Sequence, residues 1–252
     1  MAGHSKWSKI KRKKAVNDSR RSKMMSKMLR ELTVAARQGG KAPEANPRLR
    51  TAISNARAEN IPNDTIEKAV LRGAGELEGA AYEECAYEAY GPHGVALYIE
   101  AATDNRHRTS AELRRALNKN GGILGERNSV AWKFNRKGYI LVNLEDADEE
   151  ALIMTALDAG ADDVTDDENC YEIETTVEAF HAVCAALEAE EIPTANADLR
   201  MTPAAPLQLS GEQAVEALKL MDALEELDDV SNVYADMDID DMLIERYQES
   251  AA

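Results

Sequence analysis

The sequence predicts a multidomain α+β protein: an N-terminal three-helix domain and two α+β domains, the third a ferredoxin-like βαββαβ unit inserted in the second. Three observations lead there. Charge is strongly segregated: residues 1–75 hold 18 Lys+Arg against 6 Asp+Glu, residues 76–140 hold nine of each, and residues 141–252 hold 3 against 31. Apolar spacing changes beyond the Gly73–Gly79 link from a helical period to strand-like alternation. The stretch 138–202 then reads as a complete β-α-β-β-α-β run, preceded by β-β-α and followed by α-β. A chain of 252 residues has room for two or three modest domains. The expected boundaries are 1–77 for the basic helical domain, 78–136 with 204–240 for the interrupted middle domain, 137–203 for the acidic insert and 241–252 for a tail.

The first helix runs from about Asp18 to Arg37. Met24, Met25, Met28, Leu29, Leu32, Ala35 and Ala36 fill one arc at about 100° per residue, and Arg20, Lys23, Lys27, Arg30 and Arg37 fill the opposite one. Arg21 projects toward the apolar side near the helix start, where it can snorkel out. Gly39-Gly40 stops the helix. In the second, Asn46 is the N-cap, Pro47 opens the first turn, and Leu49, Ala52, Ile53 and Ala56 point inward; it ends at Asn60, shortly before Pro62. The third starts at Asn63 or Asp64, buries Ile66, Ala69 and Val70, and ends at Gly73. Each is too short to be stable alone, so the three should pack as a bundle.

Strands are expected at 85–90 and 95–101, joined through Gly91-Pro92-His93-Gly94. A helix at 108–119 turns Ala111, Leu113, Ala116 and Leu117 inward. Gly121, Gly122 and Gly125 suggest a flexible loop through Ser129, then a strand at 130–134. The insert reads as strand 138–144, helix 147–159, strands 162–166 and 170–175, helix 177–190 and strand 195–202. Beyond Pro203 and Pro206 come a helix, 211–227, with Ala214, Leu218, Met221 and Leu224 inward, and a strand, 230–235. The acidic tail from 236 should fray.

Several function classes find no support. There is no Walker loop, GxGxxG, HExxH or GxSxG, so no catalytic role, cofactor, metal or small-molecule substrate is implied. His4, His93, His107 and His181 share no spacing, and His181 reads as a half-buried structural residue. The acidic clusters 145–150 and 162–168 lack the order of a calcium loop and read as solvated surface. No apolar run reaches the roughly 18 residues of a membrane span. No apolar stretch follows the basic amino end, and Cys85, Cys170 and Cys184 are far apart and odd in number. Both point to reduced thiols in a cytoplasm.

The strong signal is the amino end. Lys6, Lys9, Lys11, Arg12, Lys13 and Lys14 surround Trp7 and Ile10. Lys and Arg neutralise phosphates, and an indole offers a stacking face. The segment continues into the basic stripe of Arg20, Lys23, Lys27 and Arg30, so two adjacent elements present one sign. Nucleic acid is the expected partner, ahead of a solubilising arm and of an anionic membrane, which would need the apolar arc the bundle uses. Arg106, Arg108 and Arg127, beside the glycine loop, form a secondary group. For them, recognition and ordinary capping plus surface charge weigh about evenly.

These residues resemble the YebC/PmpR family, whose eukaryotic relative is the mitochondrial translational activator of cytochrome oxidase. The likeness is carried by MAGHSKWSKIKRKKAVNDSRRSK (1–23), LRELTVAARQGG (29–40), PEANPRLRTAI (43–53), NIPNDTIEKAVLRGAGE (60–76), TDNRHRTSAELR (103–114) and GGILGERNSVAWKF (121–134). The chain departs from the family pattern at Met24-Met25, where an aromatic is common, and at Arg127-Asn128, where a smaller pair is usual. The resemblance implies a helical domain followed by two α+β domains, the third inserted in the second. It implies either a DNA-binding transcriptional regulator or a ribosome-bound, rRNA-binding factor that helps synthesis of proline-rich sequences. Neither the second nor the third helix concentrates Arg, Asn and Gln at its start, which weakens base-specific reading of DNA.

Overall fold

In the computed structural model the described residues are 18–167 and 170–250. Packing divides them into two compact units. One holds the start of the first helix with residues 80–135 and those from 201 onward; the other holds 28–79 with 136–200.

In the second unit, the part of α1 (Asp18–Gly39) from Met28 onward, α2 (Pro47–Ala58) and α3 (Asn63–Gly73) form the bundle. Of the expected inward residues, Leu32, Ala35, Ala36, Leu49, Ala52, Ala56, Ile66, Ala69 and Val70 are buried, whereas Met24, Met25, Met28, Leu29 and Ile53 are only half-buried. Asn46 caps α2 through its Oδ1, which accepts from Leu49 N at 3.1 Å. Its Nδ2 donates to the Ala35 and Gly40 carbonyls at the end of α1. One side chain therefore starts one helix and finishes another. Helices α1 and α3 touch through Gly73: a Cβ there would lie 2.2 Å from the Thr33 carbonyl oxygen.

The insert contains β4 (Phe134–Asn143), α5 (Glu149–Asp158), β5 (Ala161–Asp167), β6 (Cys170–Thr175), α6 (Phe180–Ala189) and β7 (Asn196–Pro203). Its sheet order, β5-β6-β4-β7, is the ferredoxin-like arrangement. Ile140, Val142 and Ile173 meet Leu152 and Ala156 of α5 and Phe180, Val183 and Leu187 of α6. The edge strand β7 is finished by a side chain of the bundle. Asn55 Nδ2 donates to the Ala197 carbonyl at 2.7 Å, and its Oδ1 accepts from Ala197 N at 3.0 Å. The amide thus substitutes for a neighbouring strand.

The first unit is built on β1 (Glu83–Tyr90), β2 (Ala96–Thr103), β3 (Ile123–Leu124) and β9 (Val230–Ala235), in the order β3-β1-β2-β9 with every neighbour antiparallel. Alternation sends Ala89, Leu97, Ile99, Val233 and Ala235 to one face. There they bury against Leu113 and Leu117 of α4 (Arg106–Lys119) and Leu218, Met221 and Leu224 of α7 (Gly211–Glu225). On the other face Ala96 and Tyr234 are covered by Val130 and Phe134.

Three expectations are corrected here. Residues 130–134 are not a strand; a 3-10 turn occupies Ala131–Lys133 and β4 starts at Phe134. A strand would put Val130, Trp132 and Phe134 on one face. The turn instead buries Val130 and Phe134 and leaves Trp132 outside. The glycine loop is pinned by packing: Ile123 and Leu124 pair with β1, a Cβ at Gly122 would meet the Tyr90 carbonyl at 2.9 Å, and one at Gly125 would meet Ser129 Oγ at 2.5 Å. Close approach, not freedom, requires those glycines.

The tail does not fray through residue 250. Here β10 (Met237–Ile239) pairs in parallel with β8 (Leu207–Leu209), and α8 (Asp241–Ser250) follows. Met237, Ile239 and Ile244 are buried in the core of the first unit. Apolar residues at alternating and then helical spacing outweigh the acidic composition. No described helix is long and apolar enough to cross a membrane.

Candidate nucleic-acid interface

Lys6, Trp7, Lys9, Lys11, Arg12, Lys13 and Lys14 lie outside the described residues, and so does the side chain of Arg20. In the first unit, Lys23 pairs with the Glu226 carboxylate, and Lys27 Nζ donates to the Glu225 carbonyl at 2.8 Å. Both cations thus meet the C-terminal end of α7, the negative end of its dipole. Arg30, one turn further along α1, is half-buried. In the bundle, Arg48 makes a two-pronged pair with Glu31 at 2.8 and 2.9 Å, Lys41 pairs with Glu76, and Arg57 donates to Asn63. Exposed pairs of this kind contribute at most about 1 kcal/mol, so a phosphate can displace the carboxylate at little cost.

Helices α2 and α6, within the second unit, enclose a cleft of about 550 Å³ whose lining includes Arg50, Arg57, His181, Cys184 and three glutamates. Burial lowers the His181 pKa and the Arg50 charge adds to the effect. Burial also pushes the Cys184 thiol up to about 12. His181 is therefore neutral at physiological pH and Cys184 a protonated, inert thiol.

The secondary group is differently placed. Arg106 grips Glu83 in a fork, at 2.7 and 3.0 Å. Arg108 donates to Asp104 at 2.8 Å and to Asp229 at 2.7 Å. Asp229 is 3% exposed and also accepts from the hydroxyls of Thr103 and Thr109, at 3.0 and 2.8 Å. Burial alone would raise the Asp229 carboxyl, but Arg108, Thr109 and Thr103 outweigh it and hold the pKa below the ordinary value. Arg106 and Arg108 thus tie the start of α4 to β1 and to the turn before β9. Arg127 is exposed, with its charge near Glu88.

Glu88 organises the loop that carries Arg127. On β1 it points away from the helix-covered face, 7% exposed. Its Oε1 accepts from Asn128 N at 2.6 Å, and its Oε2 accepts from Val130 N and Ala131 N at 2.7 and 2.8 Å. Burial works to raise its pKa, yet those three bonds and Arg127 bring it below the ordinary carboxylate value. The loop's converging N–H groups are therefore already occupied by an internal anion. Sequence reasoning missed Glu88, whose only signal is an acid inside an otherwise alternating strand. It also missed Arg114, Arg115 and Lys119, exposed on α4 and without an ion pair among the described residues. Their signal was their position opposite Leu113 and Leu117.

Fold and charge together define a multidomain α+β protein that gathers its cations toward one end of the sequence. The chain belongs to the TACO1/YebC family: residues 5–76 match the TACO1/YebC protein N-terminal domain, and residues 82–237 match the TACO1/YebC second and third domain. A relative from Natranaerobius thermophilus is 50% identical over 97% of this chain and 99% of its own, and is named a probable transcriptional regulatory protein. One of the same name from Halothermothrix orenii is 50% identical over 99% of this chain and all of its own. A crystal structure of a conserved hypothetical protein from Aquifex aeolicus, 45% identical, superposes with a TM-score of 0.81 over 88% of this chain and 92% of that one.

Proposed function

We propose that this protein is a nucleic-acid-binding regulator of gene expression, and specifically a DNA-binding transcriptional regulator that acts in the cytoplasm without catalysing a reaction. The observation that carries this reading is the charge division, 18 cations to 6 acids in residues 1–75 against 3 to 31 in residues 141–252. Lys6, Lys9, Lys11, Arg12, Lys13 and Lys14, continued by Arg20, Lys23, Lys27 and Arg30, supply phosphate contacts and release counterions. The acidic insert is repelled by the same backbone and restricts the orientations in which the protein docks. The names of the relatives support transcription as the process.

The test is a binding titration of the full chain against duplex DNA from upstream of its own gene and against unrelated duplex, at two salt concentrations. Affinity should fall with a log–log slope of about −0.9 per phosphate contact. Reversing Lys9, Lys11, Lys13 and Lys14 to Glu should abolish binding with little change in melting temperature. Binding that survives that reversal refutes the assignment.

A second reading, a ribosome-bound factor contacting rRNA, draws on one observation. The polar side chain at the start of α2, Asn46, is buried and engaged in two caps within the bundle. It is not presented to a base edge. Co-sedimentation with ribosomes, set against retention on the upstream duplex in excess competitor, separates the two.

A further inference from the structure

We infer that the Trp132 indole is a stacking platform for one unpaired nucleobase, so that the protein engages a single-stranded segment at this point. The inference rests on the nucleic-acid reading above and adds a second contact, on the first unit, remote in sequence from the basic amino end. Trp132 is 73% exposed, the most exposed large apolar side chain among the described residues. Its neighbours Val130 and Phe134 are buried, so the turn holds the ring outside on purpose-built backbone rather than on a loose loop. Val130 N and Ala131 N are fixed on Glu88.

The ring itself is anchored. Its Nε1 donates to the Ser129 carbonyl at 3.1 Å, and the Tyr90 hydroxyl donates to the same oxygen at 2.9 Å. The Lys133 ammonium, held by Asp236 at 2.7 Å, stands 6.0 Å from the indole centroid. Ile123 lies opposite Tyr90 in the β1–β3 register and is 62% exposed. A ring whose polar edge is already satisfied presents its π-face to solvent with little freedom left to lose, which is what sequence-tolerant base stacking requires.

Charge selects the partner. Residues 119–135 carry Lys119, Arg127 and Lys133 against Glu126 alone. Arg127 is exposed and has no carboxylate ion pair among the described residues. An aromatic face in the same loop as the exposed Arg127, with the Lys133 ammonium near the ring, fits a base with its phosphate. It does not fit a duplex, whose bases are already stacked on one another.

The experiment uses the full chain with Trp7→Phe, which leaves Trp132 as the one indole of the two in the sequence. Indole fluorescence is titrated with single-stranded oligoadenylate, with an abasic oligomer of equal length and with a duplex. Oligoadenylate should quench, and the abasic oligomer should not. With binding followed instead by the anisotropy of a labelled oligomer, Trp132→Ala should weaken oligoadenylate binding roughly tenfold, Trp132→Phe should restore most of it, and duplex affinity should stay unchanged. Equal quenching by the abasic oligomer, or oligoadenylate binding as tight in Trp132→Ala as in its parent, removes the inference and leaves the exposed ring to a protein partner. Loss of all binding after reversal of the basic amino end, with Trp132→Ala silent, refutes the platform while sparing the nucleic-acid reading. Absence of binding to every oligomer refutes both.

Discussion

The protein carries two four-stranded sheets that treat their acidic residues in opposite ways. In the sheet β3-β1-β2-β9 and the segments around it, Glu88, Asp229 and Asp236 are buried. Each collects donors from distant parts of the chain: Glu88 from the 128–131 amides, Asp229 from Thr103, Thr109 and Arg108, Asp236 from Ala96 N and Lys133. In the insert, residues 137–203 hold 18 Asp+Glu against Lys137 and Arg200, and among the described ones Glu172 alone is buried. The same residue types are internal fasteners in one region and a solvated coat in the other. Net charge therefore says little about which acids hold the fold and which only repel.

The sharpest way to break this contrast is Asp229→Ala. It removes the buried acceptor shared by two hydroxyls and leaves Arg108 with Asp104 alone, so urea denaturation should show a loss of about 2–3 kcal/mol. A loss under 1 kcal/mol would reduce Asp229 to the status of a surface acid.

Glu88→Gln comes next. An amide offers one acceptor oxygen where three N–H groups converge on two, and its own NH2 faces one of them. The expected loss is about 2 kcal/mol, with a shift in Trp132 emission as the turn loosens. Glu88 and Asp229 both have folded pKa values below their ordinary ones. As pH falls the unfolded chain therefore takes up protons first. Their stabilisation is complete above the unfolded values and disappears as pH drops through the folded ones, from about pH 5 downward. The Glu88→Gln variant should show a flatter acid limb in a stability–pH series, and an unchanged limb would contradict the assignment.

In the insert the sensitive positions are steric. A Cβ at Gly138 would fall 2.1 Å from Thr175 Oγ1 and 2.6 Å from the Phe180 ring. Gly138→Ala should cost about 1–3 kcal/mol by urea titration. Smallest of all, Glu145→Gln combined with Asp158→Asn, both exposed, should leave stability within about 0.5 kcal/mol. A larger loss from that pair would erase the distinction between the two sheets.

Periodic elements were legible in the sequence. The strands 170–175 and 230–235 and the helix end at Gly73 fall where spacing put them. Asn46 caps as its position implies. What spacing could not show was any feature made by distant partners. The Val130–Phe134 alternation reads as a strand, and only the pocket formed with Ala96 and Tyr234 makes it a turn with Trp132 outside. Glycines in the loop read as freedom because the Tyr90 carbonyl and Ser129 they approach are not adjacent in the pattern. Arg106 and Arg108 read as available charge because Glu83 and Asp229 lie 23 and 121 residues away.

The amide of Asn55 that completes β7 has a consequence for the timing of synthesis. Asn55 and Ala197 are 142 residues apart. At roughly 5–20 residues per second, the bundle leaves the ribosome about 7–30 s before the strand it completes exists. For that interval Asn55 and the cleft-facing side of α2 have no partner from the insert. A helical module that must wait this long in water needs a surface tolerant of it. The arginines along that side, Arg50 and Arg57, keep the nascent bundle soluble until its own sheet arrives.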